Sequence, residues 1–153
     1  MPVTDEDIDH LVEIMDRGRD AWIHGERKAE GPDFPYRQAD DMTIFAPFGG
    51  MAPRGVAPIA LPAKQGEMAT LFKGGTGDCE LVRAFFDGDL AVLVMIERNE
   101  VAFEGHDEPL PWVLPTRQIF RKVDKTWISL HRHADPLTRF RGLDETLRLI
   151  KGD

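Results

Sequence analysis

The sequence contains little that would mark a secreted, membrane-spanning or nucleic-acid-binding protein. Cys79 is its only cysteine, so an internal disulfide and a zinc site built from several cysteines are excluded within one chain. No apolar run approaches the roughly 20 residues that a membrane-spanning helix needs. Lysine and arginine together number 19 against 27 acidic residues, and the resulting net charge of −8 repels phosphate backbones. We therefore expect neither a membrane segment nor a nucleic-acid partner.

The amino terminus also lacks the pattern of an export signal. Acidic residues follow Thr4, where a signal peptide would carry positive charge and then an apolar stretch. The sequence thus predicts a cytoplasmic protein. Its 153 residues are the length of one ordinary domain with one hydrophobic core, which we expect to span residues 1–153.

Helical spacing and turn residues divide the first half of the chain. Thr4 and the acids after it predict a helix start, and apolar residues at helical spacing extend this helix to about His24. Pro35 suits the first turn of a short second helix that continues through Arg37. Strand-forming residues predict a short strand over 42–48, and a further helix is expected over about 64–73.

The second half predicts an antiparallel meander. Turn residues at 87–88, 105–107 and 124–125 separate four runs of strand-forming residues. The run over 90–96 is apolar at both odd and even positions, so both faces of this strand should be covered, one by helices and the other by a second subunit. A closing helix is expected over 141–151, with Leu143, Leu147 and Ile150 on one side.

Three segments carry a resemblance to a known family. They are Asp40-Asp41 with the strand that ends at Phe48-Gly49, the run Gly88-Asp89-Leu90-Ala91-Val92-Leu93-Val94, and Arg117-Gln118-Ile119-Phe120-Arg121 with the strand from Trp127 to Pro136. Together with the helical first third, they resemble the SnoaL-like family, relatives of nuclear transport factor two. The resemblance spans nearly the whole chain. It implies a cystatin-like α+β roll, in which a curved antiparallel sheet wraps N-terminal helices around a cone-shaped cavity for a small apolar or carbonyl-containing molecule.

The chain departs from the related ketosteroid isomerases at both catalytic positions. Their base precedes the proline of the Asp-Asp segment, and this position falls on Ala46. Their buried acid falls near Gln118, which donates hydrogen bonds but cannot deliver a proton. Steroid isomerisation by that mechanism is therefore not expected.

The turn at 124–125 predicts the pairing of the last two strands. If the turn has two residues, side chains directly opposite each other share one sheet face. The predicted pairs are Phe120 with Ser129, Gln118 with His131, and Thr116 with His133.

This face suggests a catalytic group of His131, His133 and Gln118. One imidazole would act as a base near neutral pH, and the other or Gln118 would stabilise developing negative charge. Two other interpretations stay open: the histidines only bond neighbouring strands or a subunit interface, or they bind a metal with Asp135. On balance we expect no metal and no cofactor.

The opposite face of the hairpin would place Arg117 across from Arg132. Such a like-charge pair needs nearby carboxylates, which Glu97 and Glu100 could supply. The arginines would form a solvated ion-pair network or, alternatively, bind an anionic ligand.

Further residues are expected to contact the substrate. They are Trp22, Tyr36, Asp41, Phe45, Thr116, Phe120, Trp127 and Ser129. The first functional hypothesis is proton transfer of the isomerase or cyclase type on an apolar carbonyl or cyclic substrate. The alternative is a non-catalytic ligand-binding or dimerisation module, and under either hypothesis we expect a homodimer that associates through the sheet.

Overall fold

A computed structural model of the chain describes residues 2–25, 36–48 and 68–152. These residues form two helices and five strands. In chain order the elements are α1 (Asp5–Ile23), β1 (Tyr36–Phe45), β2 (Phe72–Asp87), β3 (Leu90–Phe103), β4 (Leu110–Val123), β5 (Thr126–Ala134) and α2 (Leu143–Lys151). No helix in this described part is both long enough and apolar enough to cross a membrane.

Helix α1 begins where the sequence predicts. The hydroxyl of Thr4 accepts a hydrogen bond from the backbone N–H of Asp7, and the Asp7 carboxylate accepts one from the backbone N–H of Thr4. This reciprocal cap satisfies donors that the first helical turn leaves without partners. The helix then presents one buried stripe to the sheet, made of Ile8, Leu11, Ile14, Met15, Arg19 and Ile23.

The sheet is curved and open, with the strand order β1-β5-β4-β3-β2. Strands β2 to β5 form the predicted antiparallel meander. Strand β1 pairs with β5 in parallel, so the sheet is mixed and the expectation of a purely antiparallel sheet is wrong in this one pairing. The architecture is the α+β class that the sequence predicts.

Two predicted boundaries in the first half need correction. Tyr36 and Arg37 begin β1, so the predicted helix through Arg37 is wrong. A proline fixes φ near −65°, a value that both a first helical turn and an extended chain accept, so Pro35 did not distinguish the two. The predicted helix over 64–73 lies outside the described residues up to position 67. Met68 and Ala69 are helical, as predicted, but β2 begins at Phe72, so the predicted end at 73 is too late.

The core lies between α1 and the concave, inner face of the sheet. Its buried cluster includes Ile8, Leu11, Ile14, Ala91, Leu93, Met95, Phe120 and Trp127. On β3 the inward residues are buried, whereas Val92, Val94 and Ile96 on the outer face are half-buried. Helix α1 therefore covers the inner face of β3, as predicted.

The pairing of β4 with β5 changes register at one residue. Phe120 lies opposite Ser129, as predicted, but Ile119 then lies opposite His131 because Leu130 is an extra residue in β5. A β-bulge of this kind moves every following side chain to the other face of the sheet. The predicted pairings of Gln118 with His131 and of Thr116 with His133 are therefore wrong. So is the pairing of Arg117 with Arg132: Gln118 faces Arg132, Arg117 faces His133 and Thr116 faces Ala134.

Candidate ligand pocket

A pocket of about 190 Å³ lies between α1 and the inner face of the sheet. Helix α1 forms one wall, and inward side chains of β1, β3, β4 and β5 form the other. The lining residues are Met15, Gly18, Arg19, Ala21, Trp22, Tyr36, Gln38, Met42, Ile44, Ala46, Pro47, Phe48, Glu97, Leu114, Gln118 and Arg132. The wall is thus mostly apolar with a small polar group on the sheet side.

Gln118 is the buried polar residue of this wall that lacks a complete set of partners. Its side chain is almost fully enclosed, since the residue is 1% exposed. Nevertheless Nε2 has no hydrogen-bond partner within the described part of the chain. The hydroxyl of Ser129, on the neighbouring strand, is also buried without a hydrogen-bond partner in the described part of the chain, but Ser129 does not line the pocket. Gln118 therefore presents a desolvated N–H donor at the pocket wall.

Arg132 and Glu97 form an ion pair beside Gln118. The two guanidinium nitrogens Nη1 and Nη2 lie 2.9 and 3.3 Å from the two carboxylate oxygens, an arrangement with two parallel hydrogen bonds. Burial acts to lower the pKa of Arg132, but the Glu97 carboxylate outweighs this and raises it overall. The guanidinium stays charged, and the pair uses about two of its five N–H groups.

Arg19 fixes the helix side of the pocket to the sheet. From α1 its Nη1 donates to Oδ1 of Asn99 at 2.7 Å, and its Nε donates to Asp16 at 2.9 Å. Asn99 in turn donates from Nδ2 to the carbonyl of Trp112 at 3.0 Å. This chain of contacts connects α1 with β3 and β4. It also leaves each pocket arginine with a carboxylate neighbour, Asp16 for Arg19 and Glu97 for Arg132.

Aromatic side chains give the pocket flat apolar surfaces. The ring of Tyr36 packs edge-on against Phe120, with 5.5 Å between centroids. Burial raises the pKa of the Tyr36 phenol, so its hydroxyl is protonated at neutral pH. Trp22 packs against Phe72 at 5.6 Å, which holds the indole at the end of α1.

The predicted site residues fall into three groups. Gln118, Tyr36 and Trp22 line the pocket together. Thr116, Phe120, Trp127 and Ser129 are buried residues of β4 and β5 outside the pocket wall. Asp41 is exposed on β1, and Phe45, His131 and His133 do not line the pocket either.

The two histidines lie on the outer face with Phe45. His131 Nδ1 is 2.7 Å from the hydroxyl of Thr43, and His133 Nδ1 accepts a hydrogen bond from Arg117. The Phe45 ring contacts both imidazoles edge-on, at 5.5 and 5.3 Å. Burial lowers the pKa of His131, and the nearby His133 and Arg117 lower it further. The assignment of proton transfer to these imidazoles stays a prediction, but it does not involve the pocket described above.

Sequence reasoning did not place Arg132 and Arg19 at the pocket, and it did not identify Asn99 as the partner of Arg19. Glu97 was expected to neutralise Arg132, and this contact is confirmed, although it lies on the inner face. In the sequence, Asn99 lies at the same alternate strand positions as Met95 and Val101, which are buried in the structure. That spacing could have indicated an amide that faces inward. Within the described ranges, no three His, Cys, Asp or Glu residues lie close enough together to hold a metal ion.

Comparison with solved structures identifies the fold. A scytalone dehydratase-like protein of Novosphingobium aromaticivorans is 14% identical, with 89% of this chain and 96% of that chain covered at a TM-score of 0.63. An NTF2-like superfamily protein of Salmonella enterica is 17% identical, with coverages of 90% and 94% and a TM-score of 0.62. The CaMKII hub of S. rosetta is 16% identical, with coverages of 83% and 94% and a TM-score of 0.60.

Sequence comparison alone adds nothing to this identification. No protein-family model matches the chain, and no curated protein matches it. At identities of 14 to 17%, the structural neighbours establish the shared architecture rather than a shared activity. The chain has the nuclear transport factor 2-like fold, which confirms at the level of architecture the resemblance that its sequence shows.

Proposed function

We propose that the pocket binds a small, largely apolar molecule that presents an oxygen acceptor to Gln118. The observation that carries this proposal is the buried Nε2 donor, which has no partner among the described residues. An unsatisfied buried donor costs about 1–3 kcal/mol, which a ligand oxygen at the pocket wall would recover. A carbonyl oxygen is the simplest such acceptor.

The size and charge of the pocket restrict the ligand further. A cavity of about 150 Å³ holds a benzene molecule, so the 190 Å³ here suits one ring with a few substituent atoms. Arg132 and Arg19 already have the carboxylates of Glu97 and Asp16 as partners. The pocket therefore offers no excess charge to an anion, and a neutral ligand fits it best.

Binding has more support than catalysis of proton transfer. The position of the ketosteroid isomerase base is Ala46, which lines the pocket but does not titrate. Glu97 carries a carboxylate in the pocket wall, but both of its oxygens accept hydrogen bonds from Arg132. Proton transfer of the isomerase or cyclase type stays a prediction that needs a base from elsewhere.

The test compares ligands with and without the acceptor oxygen. Cyclohexanone and benzaldehyde are titrated against wild type, with methylcyclohexane and toluene as matched molecules, and dissociation constants are measured by ligand-observed NMR. We expect wild type to prefer the carbonyl compounds by about tenfold, the value of one recovered hydrogen bond. In Gln118→Leu this preference should disappear while the apolar compounds still bind.

Ser129→Ala is the matched control for this experiment. It removes a buried hydroxyl oxygen that also lacks a partner in the described ranges, but from a position outside the pocket wall. Its ligand preference should equal that of wild type. If Gln118→Leu keeps the preference for carbonyl compounds, or if wild type has none, the proposal fails.

A second proposed role is homodimerisation through the outer face of the sheet. Val92, Val94 and Ile96 of β3 and Ile119 of β4 form an apolar strip there, which no other described element covers. The structural neighbours include hub and association domains, which is compatible with such a role. Sedimentation velocity of wild type and Val94→Glu tests it, with Lys125→Glu in the β4–β5 turn as the control. A wild-type monomer at 100 µM, roughly the weak end of dimer affinities, would exclude this role.

A further inference from the structure

Helix α2 exposes an apolar stripe that no residue in the described part of the chain covers. Leu143 and Ile150 are 73% and 75% exposed, and Phe140 just before the helix is 96% exposed. No residue of α2 is buried. Exposed apolar side chains clustered on one element are typical of a surface that contacts another protein.

The charge of α2 indicates the kind of surface that it fits. Asp144 and Glu145 in the first turn balance Arg148 and Lys151 in the last turn. A helix that binds anionic membranes carries a surplus of lysine and arginine on its polar face. Helix α2 has equal numbers of acidic and basic residues and therefore no such surplus. A protein surface with its own apolar residues is therefore the better partner.

The edge strand β2 offers such a surface on the same molecule. Val82 and Phe85 are both exposed there, and Phe85 lies opposite Val92 on the outer face of the sheet. The guanidinium of Arg83 lies 5.1 Å from the centre of the Phe85 ring. This gives β2 an apolar patch with an adjacent positive charge, matched by the apolar stripe of α2 with an adjacent Asp144.

The strand order brings these two surfaces together in a symmetric dimer. In the order β1-β5-β4-β3-β2, β4 is the central strand. When two outer faces stack about a two-fold axis that runs parallel to β4, the partner's β2 lies opposite β1 and β5. Helix α2 follows β5 after residues 135–142. These eight residues span at most about 26 Å, which exceeds the roughly 10 Å between stacked sheets.

We propose that α2 of one copy packs on Val82 and Phe85 of a second copy, with Asp144 paired to the partner's Arg83. The proposal rests on the proposed homodimer and specifies how its two halves are joined. Because the contact is reciprocal, each dimer contains it twice. Any single substitution therefore acts at two places, which doubles its effect on the free energy of dimerisation and squares the fold-change in the dissociation constant.

A charge exchange tests the contact. The dimer dissociation constant is measured by sedimentation velocity for wild type, Asp144→Arg, Arg83→Glu and the double variant. Each single reversal should weaken the dimer by about tenfold or more, because it places two like charges together at both contacts. The double variant should return to within about threefold of wild type, since the pair is restored with exchanged signs. Arg148→Ala, on the polar side of α2, is the control and should dimerise as wild type does.

A chain that ends at Arg141 separates this proposal from the homodimer itself. Its core is intact, because no residue of α2 is buried. A dimer that is weaker than wild type supports the helix contact, whereas an equally tight dimer overturns it and leaves the sheet interface standing. Wild type that is monomeric throughout overturns both proposals. Single reversals without effect, or a double variant without recovery, overturn the pairing of Asp144 with the partner's Arg83.

Discussion

Gln118 lies directly opposite Arg132 across β4 and β5, and both side chains line the pocket. The polar part of the wall is therefore an amide beside a guanidinium, and not the pair of imidazoles that a regular hairpin would have placed there. An amide and a guanidinium are both donors at neutral pH. Two adjacent donors fit the proposed binding of an acceptor oxygen better than the removal of a proton.

The ion pair of Arg132 with Glu97 should be essential to stability as a pair. Arg132→Met leaves the enclosed Glu97 carboxylate without its cation, and we expect the free energy of unfolding to fall by about 2–3 kcal/mol. This is less than the roughly 3–5 kcal/mol of a fully buried pair, because the Arg132 side chain is 27% exposed. Urea denaturation of the purified variant measures the difference.

The double variant Arg132→Met, Glu97→Gln should recover much of that loss, since it leaves no unpaired charge behind. Arg121→Met provides the control, because Arg121 contacts Asp89 at 3.5 Å in an exposed pair that is worth about 0–1 kcal/mol. Equal losses for Arg132→Met and Arg121→Met would contradict the importance given to the enclosed pair.

Gly77 on β2 should not tolerate a side chain. A Cβ at this position would overlap the carbonyl oxygen of Arg98 and the Oδ1 atom of Asn99. Since Oδ1 of Asn99 also accepts the hydrogen bond from Arg19, Gly77→Ala should loosen the contact between α1 and β3. We expect a loss of about 2 kcal/mol in thermal or urea unfolding, within the range for overpacked interiors.

Gly142→Ala is the matched control for Gly77→Ala. A Cβ at Gly142 meets no atom within 4 Å, and its φ of −71° suits any residue. Its stability should differ from that of wild type by no more than about 0.5 kcal/mol. A Gly77→Ala variant as stable as Gly142→Ala would show that Asn99 moves without cost.

The outer face should make stability depend on pH. Burial, together with the nearby His133 and Arg117, holds the pKa of His131 below the ordinary value of 6.5, so between the two values the unfolded chain binds more protons than the folded chain. The stability that His131 contributes is thus complete above pH 6.5 and is lost as the pH falls through the folded-state value. We expect the free energy of unfolding to decrease from pH 7 towards pH 5.

His131→Gln isolates that contribution, because an amide can still contact Thr43 but does not titrate. Unfolding curves across pH 5–7 should show a shallower slope for this variant than for wild type. Lys125→Gln in the β4–β5 turn serves as the control and should keep the wild-type slope. Parallel slopes for wild type and His131→Gln would mean that the imidazole titrates alike in the folded and unfolded chain.

The sequence was informative wherever structure depends on local pattern. The cap at Thr4, the turns of the meander and the opposition of Phe120 and Ser129 follow from residue spacing, and the structure confirms them. The parallel pairing of β1 with β5 joins segments about 90 residues apart, and no local pattern encodes it. Leu130 looks like any strand residue in the sequence, yet as the extra residue it decides which side chains reach the pocket.

The bulge at Leu130 also separates the surfaces that neighbouring residues serve. Arg132 belongs to the pocket, whereas His131 and His133 on either side of it belong to the outer face. Substitutions at adjacent positions therefore reach either the pocket or the outer surface, but not both. If the pocket binds the proposed ligand and the outer face joins two copies, ligand selectivity and dimerisation can change independently of each other.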